Sequence, residues 1–278
     1  MNATQRRRPP VEEPAGGLRS FLSARRSGMG ALLVLAGVGT AAWALWTRYA
    51  TDLRSAPDMV LFPEAVAVSG VAPWVQGDLK TAVLRDASLD GGLPLDDPEL
   101  PQRLERAFAM HPWVREVVAV TLRHPAAAAV EVRCREPVAM VAVPGGLLAV
   151  DAAGVVLPSE DFTAEAAAAY PRVRGIRSSP VGLAGSRWGD AAVHEAAAVA
   201  AAVGPECRDM GLRDLRPTES SARRVWELVD ASGRVIRFGS APGEEEPGEP
   251  SAAEKVNRLR ALATDPDRPE WTDLTVRL

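Results

Sequence analysis

The chain has 278 residues, 47% of them apolar, enough to build a sizeable core without disulfide support, so composition excludes a disordered tail protein and a mini-scaffold. Lys and Arg number 32 against 36 Asp and Glu, a net charge of −4, which excludes a dedicated nucleic-acid binder needing a basic surplus against phosphate. The charge is unevenly placed: Arg6, Arg7, Arg8, Arg19, Arg25 and Arg26 against two glutamates make residues 1–28 a +4 segment and leave −8 on the rest.

From Ser27 to Thr47 no residue ionises, a run of 21 that includes Ala31-Leu32-Leu33-Val34-Leu35-Ala36 and Trp43-Ala44-Leu45-Trp46. A helix of that length covers about 30 Å, the thickness of a bilayer's hydrocarbon core, so a transmembrane helix over 27–47 is expected. The basic excess before it places the tail 1–26 in the cytoplasm, and Trp43, Trp46 and Tyr49 suit the far interface. A cleaved signal peptide, with Ala42-Trp43-Ala44 as the small-x-small site, is the alternative. On either reading the remainder lies outside the cytoplasm, where Cys134 and Cys207 are permitted a disulfide. Cys134 alternates with Val130 and Val132 and also reads as a buried small hydrophobe.

A polar linker, 48–57, precedes a first domain, 58–137. Val66, Val68 and Gly70 read as the end of a strand, and Val75, Leu79 and Val83 share a helix face. After the turn Asp90-Gly91-Gly92-Leu93-Pro94, Asp97-Pro98-Glu99 starts a second helix whose stripe is Leu100, Leu104, Ala107 and Phe108. Valine-rich residues 113–122 and 128–143 form strands around Arg123-His124-Pro125, with Glu136-Pro137 ending the domain. The expected order is β-α-α-β-β.

In the second domain, 138–278, two hairpins are expected around Asp151-Ala152-Ala153-Gly154 and Asp230-Ala231-Ser232-Gly233. Asp190 caps an alanine-rich helix over 191–203. The acidic run 243–250 reads as a solvated loop, Val256, Leu259 and Leu262 mark a last helix, and Trp271 to Leu278 a terminal strand. The fold class is therefore α+β, with an edge strand at the C-terminus.

Catalytic patterns are missing from the sequence. His111, His124 and His194 are scattered without metal-ligand spacing, Ser186 and Ser232 stand in no nucleophile elbow, and no glycine pair precedes a P-loop lysine. A binding module without cofactor, metal or small-molecule substrate is the expectation.

Several stretches in order resemble one family: Val66-Ala67-Val68-Ser69-Gly70, His111-Pro112-Trp113-Val114-Arg115, Val130 to Ala139, Leu148 to Val156, Ser221 to Leu228, Gly233 to Gly239, Glu254-Lys255-Val256 and Thr272-Asp273-Leu274. Together they are similar to the bacterial cell-division family FtsQ/DivIB, a POTRA domain followed by a β domain. The resemblance implies a scaffold of the division machinery at the cell inner membrane, enriched at the septum, that binds FtsB- and FtsL-like proteins. FtsB would add a strand beside the C-terminal strand, a mode in which backbone hydrogen bonds supply affinity. It implies partner-binding roles for Trp271, Asp273, Leu274, Thr275 and Val276, and for Arg223 and Arg224 toward an acidic segment. The same implication extends to Trp226, in the strand of that arginine pair, as a partner-binding residue, although it also reads, like Trp113, as a core plug. Thr275 and Val276 depart from the family's usual arginine and aromatic. A POTRA-bearing protein of outer-membrane export or assembly, and a secreted enzyme, remain the alternatives.

Overall fold

The computed structural model describes residues 34–49, 57–204, 210–220, 223–265 and 269–276. The chain divides into two units, Met1–Met59 and Val60–Leu278. In the first, helix α1 covers residues 34–49. The 16 described residues of this helix rise about 24 Å. Among the described residues no helix is long and apolar enough to cross a membrane, which corrects the expected transmembrane helix. Gly37, Gly39 and Thr40 dilute the apolar run, and the Thr40 hydroxyl donates back to Ala36 O at 2.9 Å. The cytoplasmic tail 1–26, residues 27–33, most of the linker, and Cys207 lie outside the described residues.

The second unit is α+β. A three-stranded sheet has the order β2-β5-β4, with β2 (Val66–Ser69) parallel to β5 (Ala127–Cys134) and β4 (Val114–Arg123) antiparallel to it. Helices α2 (Leu79–Asp86) and α3 (Leu100–Ala109) supply Leu79, Val83, Leu84, Leu100, Leu104 and Phe108 to its core. Asp78 caps α2 by accepting the Thr81 N–H at 3.2 Å. A short ribbon pairs β1 (Val60–Leu61) with β3 (Leu93–Pro94). Gly70, at φ +82°, ends β2 where an added Cβ would lie 2.0 Å from the Val132 carbonyl, so only glycine fits.

Seven strands form a mixed sheet ordered β12-β11-β10-β9-β8-β6-β7. The strands are β6 (Pro137–Val143), β7 (Gly146–Asp151), β8 (Arg172–Val173), β9 (Leu212–Ser220), β10 (Arg223–Asp230), β11 (Val235–Gly239) and β12 (Trp271–Asp273). Among the described residues its other α-helices are α4 (Ala164–Ala168), α5 (Ala191–Val203) and α6 (Ala252–Ala263). Alternation sends Ala139 and Val141 of β6 into the core shared with α5 and α6, and Met140 into the core of the three-stranded sheet. Burial on both faces explains why β6 reads as an unbroken apolar run. The 113–114 joint is tied as well: Trp113, 1% exposed, donates its indole N–H to Asp161 at 2.6 Å.

Three expectations change. The first hairpin turns at Pro144-Gly145 between β6 and β7, while Val155 and Val156 make only single bridges. The terminal strand stops at Asp273 and does not run to the C-terminus: Asp273 Oδ1 accepts the Thr275 N–H at 2.8 Å and hydroxyl at 2.6 Å, a turn that ends the ladder. The acidic run is exposed over Gly243, Glu244 and residues 246–248, as a solvated loop would be, but it is also tied down. Glu249, its side chain 7% exposed, bonds to Lys255 Nζ at 2.6 Å.

Candidate functional site

The two edges of the large sheet differ. At β7, Leu157 N–H donates to Ala149 O at 2.8 Å and Ala149 N–H to the Ser159 hydroxyl at 2.9 Å, so residues 157–159 cover that edge. At the other edge β12 runs parallel to β11, pairing Trp271, Thr272 and Asp273 with Val235, Ile236 and Arg237. Val235 N–H donates to Glu270 O at 2.9 Å and Leu274 N–H to Arg237 O at 3.0 Å. Residues 270, 272 and 274 therefore spend their backbone groups on β11, and alternation turns those of Trp271 and Asp273 outward.

The residues flanking that edge hold it in place. Leu274 is buried in the core with Val256 and Leu259 of α6, and Arg258 of the same helix donates to the carbonyls of Leu274, at 3.4 Å, and Val276. The Trp271 side chain is 55% exposed, and Val276 is also exposed. Asp273 lies 3.8 Å from Arg237 and caps the turn through Thr275. Val276 lies beyond the strand, so its N–H is no ladder donor.

β12 ends beside the acidic loop. Gly239 (φ +92°) closes β11 in a space where an added Cβ would meet Glu249 Oε1 at 2.2 Å and Thr275 Cγ2 at 2.5 Å. Here Glu249 Oε1 accepts from Lys255 Nζ and from Ser240 N–H at 2.8 Å, and Oε2 from Glu246 N–H at 3.0 Å. Lys255, fully buried, also donates to Ser240 O at 3.2 Å and lies 4.8 Å above the Phe238 ring. Burial works against the charged carboxylate of Glu249, but the bonds from Lys255, Glu246 and Ser240 outweigh it and lower its pKa to about 2.

Of the residues expected at a partner surface, Arg223, Trp271 and Val276 are exposed and Asp273 and Thr275 half-buried, whereas Trp226 and Leu274 belong to the core. Arg224 is ion-paired with Glu195 of α5, whose other oxygen accepts the Trp226 indole N–H at 3.1 Å. Arg223 donates to Glu244 O at 3.3 Å and lies 3.9 Å from Glu246. Glu195, Glu249, Lys255 and Arg258 are not legible as site residues in the sequence. Lys255 alone leaves a signal, since it shares a helix face with Leu259 and Leu262 at spacings of four and seven.

A second concavity of about 630 Å³ is lined by Arg115, Arg135, Asp151, Tyr170 and His194. Its Arg135–Asp151 pair, 2.8 Å apart, serves the neighbouring turn, because Asp151 Oδ1 accepts the N–H groups of Ala153 and Val155. Among the described residues no group of three or more His, Cys, Asp and Glu could hold a metal ion.

No protein-family model matches this chain, and no curated protein matches it.

Proposed function

We propose that this protein is a scaffold of the bacterial division machinery that binds FtsB- and FtsL-like partners by taking a partner strand beside β12, on the periplasmic side of the septum. The observation that carries the reading is the β12 edge, uncovered among the described residues, with the backbone groups of Trp271 and Asp273 turned outward next to an exposed indole. The ordered motifs resembling FtsQ/DivIB support the same assignment. The work done is binding, and the edge is short, so three residues of ladder are supplemented by side-chain contacts at Trp271 and around Arg223.

The test separates backbone from side chain. Trp271→Pro removes only an outward N–H, a position at which an edge strand tolerates proline, whereas Trp271→Val keeps the donor and loses the same indole. With a purified FtsB-like partner from the same host, calorimetric titration is expected to show Trp271→Pro binding about tenfold more weakly than Trp271→Val. Equal affinities for the two variants would remove strand addition from the account.

A further inference from the structure

The glutamates of the 243–250 loop divide into two sets. Glu245 and Glu249 hold the loop down: Glu245 Oε1 accepts the Ala252 N–H at 3.0 Å and Oε2 the Gly243 N–H at 2.9 Å, while Glu249 takes Lys255 and Ser240. Glu246 turns its carboxylate toward Arg223 instead, and Glu244 meets Arg223 through its backbone carbonyl. The Glu244 carbonyl accepts from its guanidinium, the Glu246 carboxylate stands 3.9 Å from Nε, and Glu244 lines a cavity of about 460 Å³ with Glu195, Arg223, Arg224 and Ser240. Arg224 is engaged with Glu195, which among the described residues leaves Arg223 as the cation of this cavity that an acidic segment could recruit.

We propose that the acidic loop is a tethered competitor for Arg223, occupying the guanidinium that an acidic partner segment would otherwise reach. This rests on the reading of this end of the sheet as a partner-binding face. The contact is weak taken singly, because Arg223 and Glu246 are 58% and 61% exposed. The tether makes it intramolecular, and the buried Glu249–Lys255 bond fixes the loop so that little ordering entropy opposes the contact. The result is a filter: an acidic segment gains from Arg223 only by displacing Glu246, and one lacking further contacts along β12 is turned away.

The experiment uses the full chain in a neutral detergent and a fluorescently labelled hexaglutamate peptide, which needs no strand pairing, followed by anisotropy. Glu246→Gln is expected to bind it about threefold to fivefold more tightly than the parent chain at low salt. Adding Arg223→Gln to that variant is expected to abolish the gain, as is raising the salt to about 0.15 M. Unchanged affinity, no binding by the loop variant, or a gain that survives Arg223→Gln would each overturn the proposal, the last by reducing it to net charge. The strand-addition reading is tested separately by Trp271→Pro, so either can fail while the other stands.

Discussion

Glu249→Ala is expected to destabilise the Val60–Leu278 unit by about 3–5 kcal/mol, because it leaves Lys255 charged and buried with only Ser240 O to receive it. Lys255 sits on the apolar face of α6, beside Val256 and Leu259. Glu249→Ala combined with Lys255→Met is expected to recover most of the loss, since replacing both members of a buried pair by apolar groups is often close to neutral. Denaturant midpoints of the parent and the two variants measure this. A single variant within about 0.5 kcal/mol of the parent would show that the pair does not hold the loop. Acid supplies a second readout. The Glu249 carboxyl is depressed to about 2 in the folded protein, so its stabilisation is full above the ordinary carboxyl value near 4.5 and is lost as pH falls toward 2. Asp230 is likewise held at about 2: burial opposes its charge, and bonds from Ser232 and Arg234 outweigh burial. The Glu249→Ala variant is therefore expected to lose less stability than the parent between pH 4.5 and 2.

Trp226→Ala carries the second large effect, about 3–5 kcal/mol, since the indole is fully buried in the core between the large sheet and α5. It also removes the N–H that Glu195 accepts, leaving that carboxylate to Arg224 alone. Trp226→Phe keeps most of the volume and loses only the indole bond, so it is expected to fold, at a cost of about 1–3 kcal/mol, and to bind a partner as the parent does. Partner affinity lost in Trp226→Phe with the fold intact would return this residue to the contact surface that the resemblance suggests.

Legibility followed the period of the apolar residues. Leu100, Leu104 and Phe108 recur at four and mark α3, and Val130 and Val132 alternate in β5, so both elements are visible in the sequence. β9 is hidden because its buried residues, Leu212 and Leu215, are three apart across a register shift, with Arg213, Asp214 and Pro217 among them. β8, two residues long, has no period to read. The apparent length of the terminal strand came from the apolar alternation of Leu274 and Val276, and the Asp273–Thr275 turn overrides it. In the acidic run the four glutamates look alike by composition, and only tertiary contacts distinguish Glu245 and Glu249, which anchor the loop, from Glu246, whose carboxylate stands near Arg223.

The central claim, a division scaffold, is tested most directly by where the protein goes. A fluorescent fusion of the full chain, followed through the cell cycle in its own host, is expected to gather at midcell as the septum forms. Uniform signal around the cell from birth to separation, with no septal enrichment, would contradict the account.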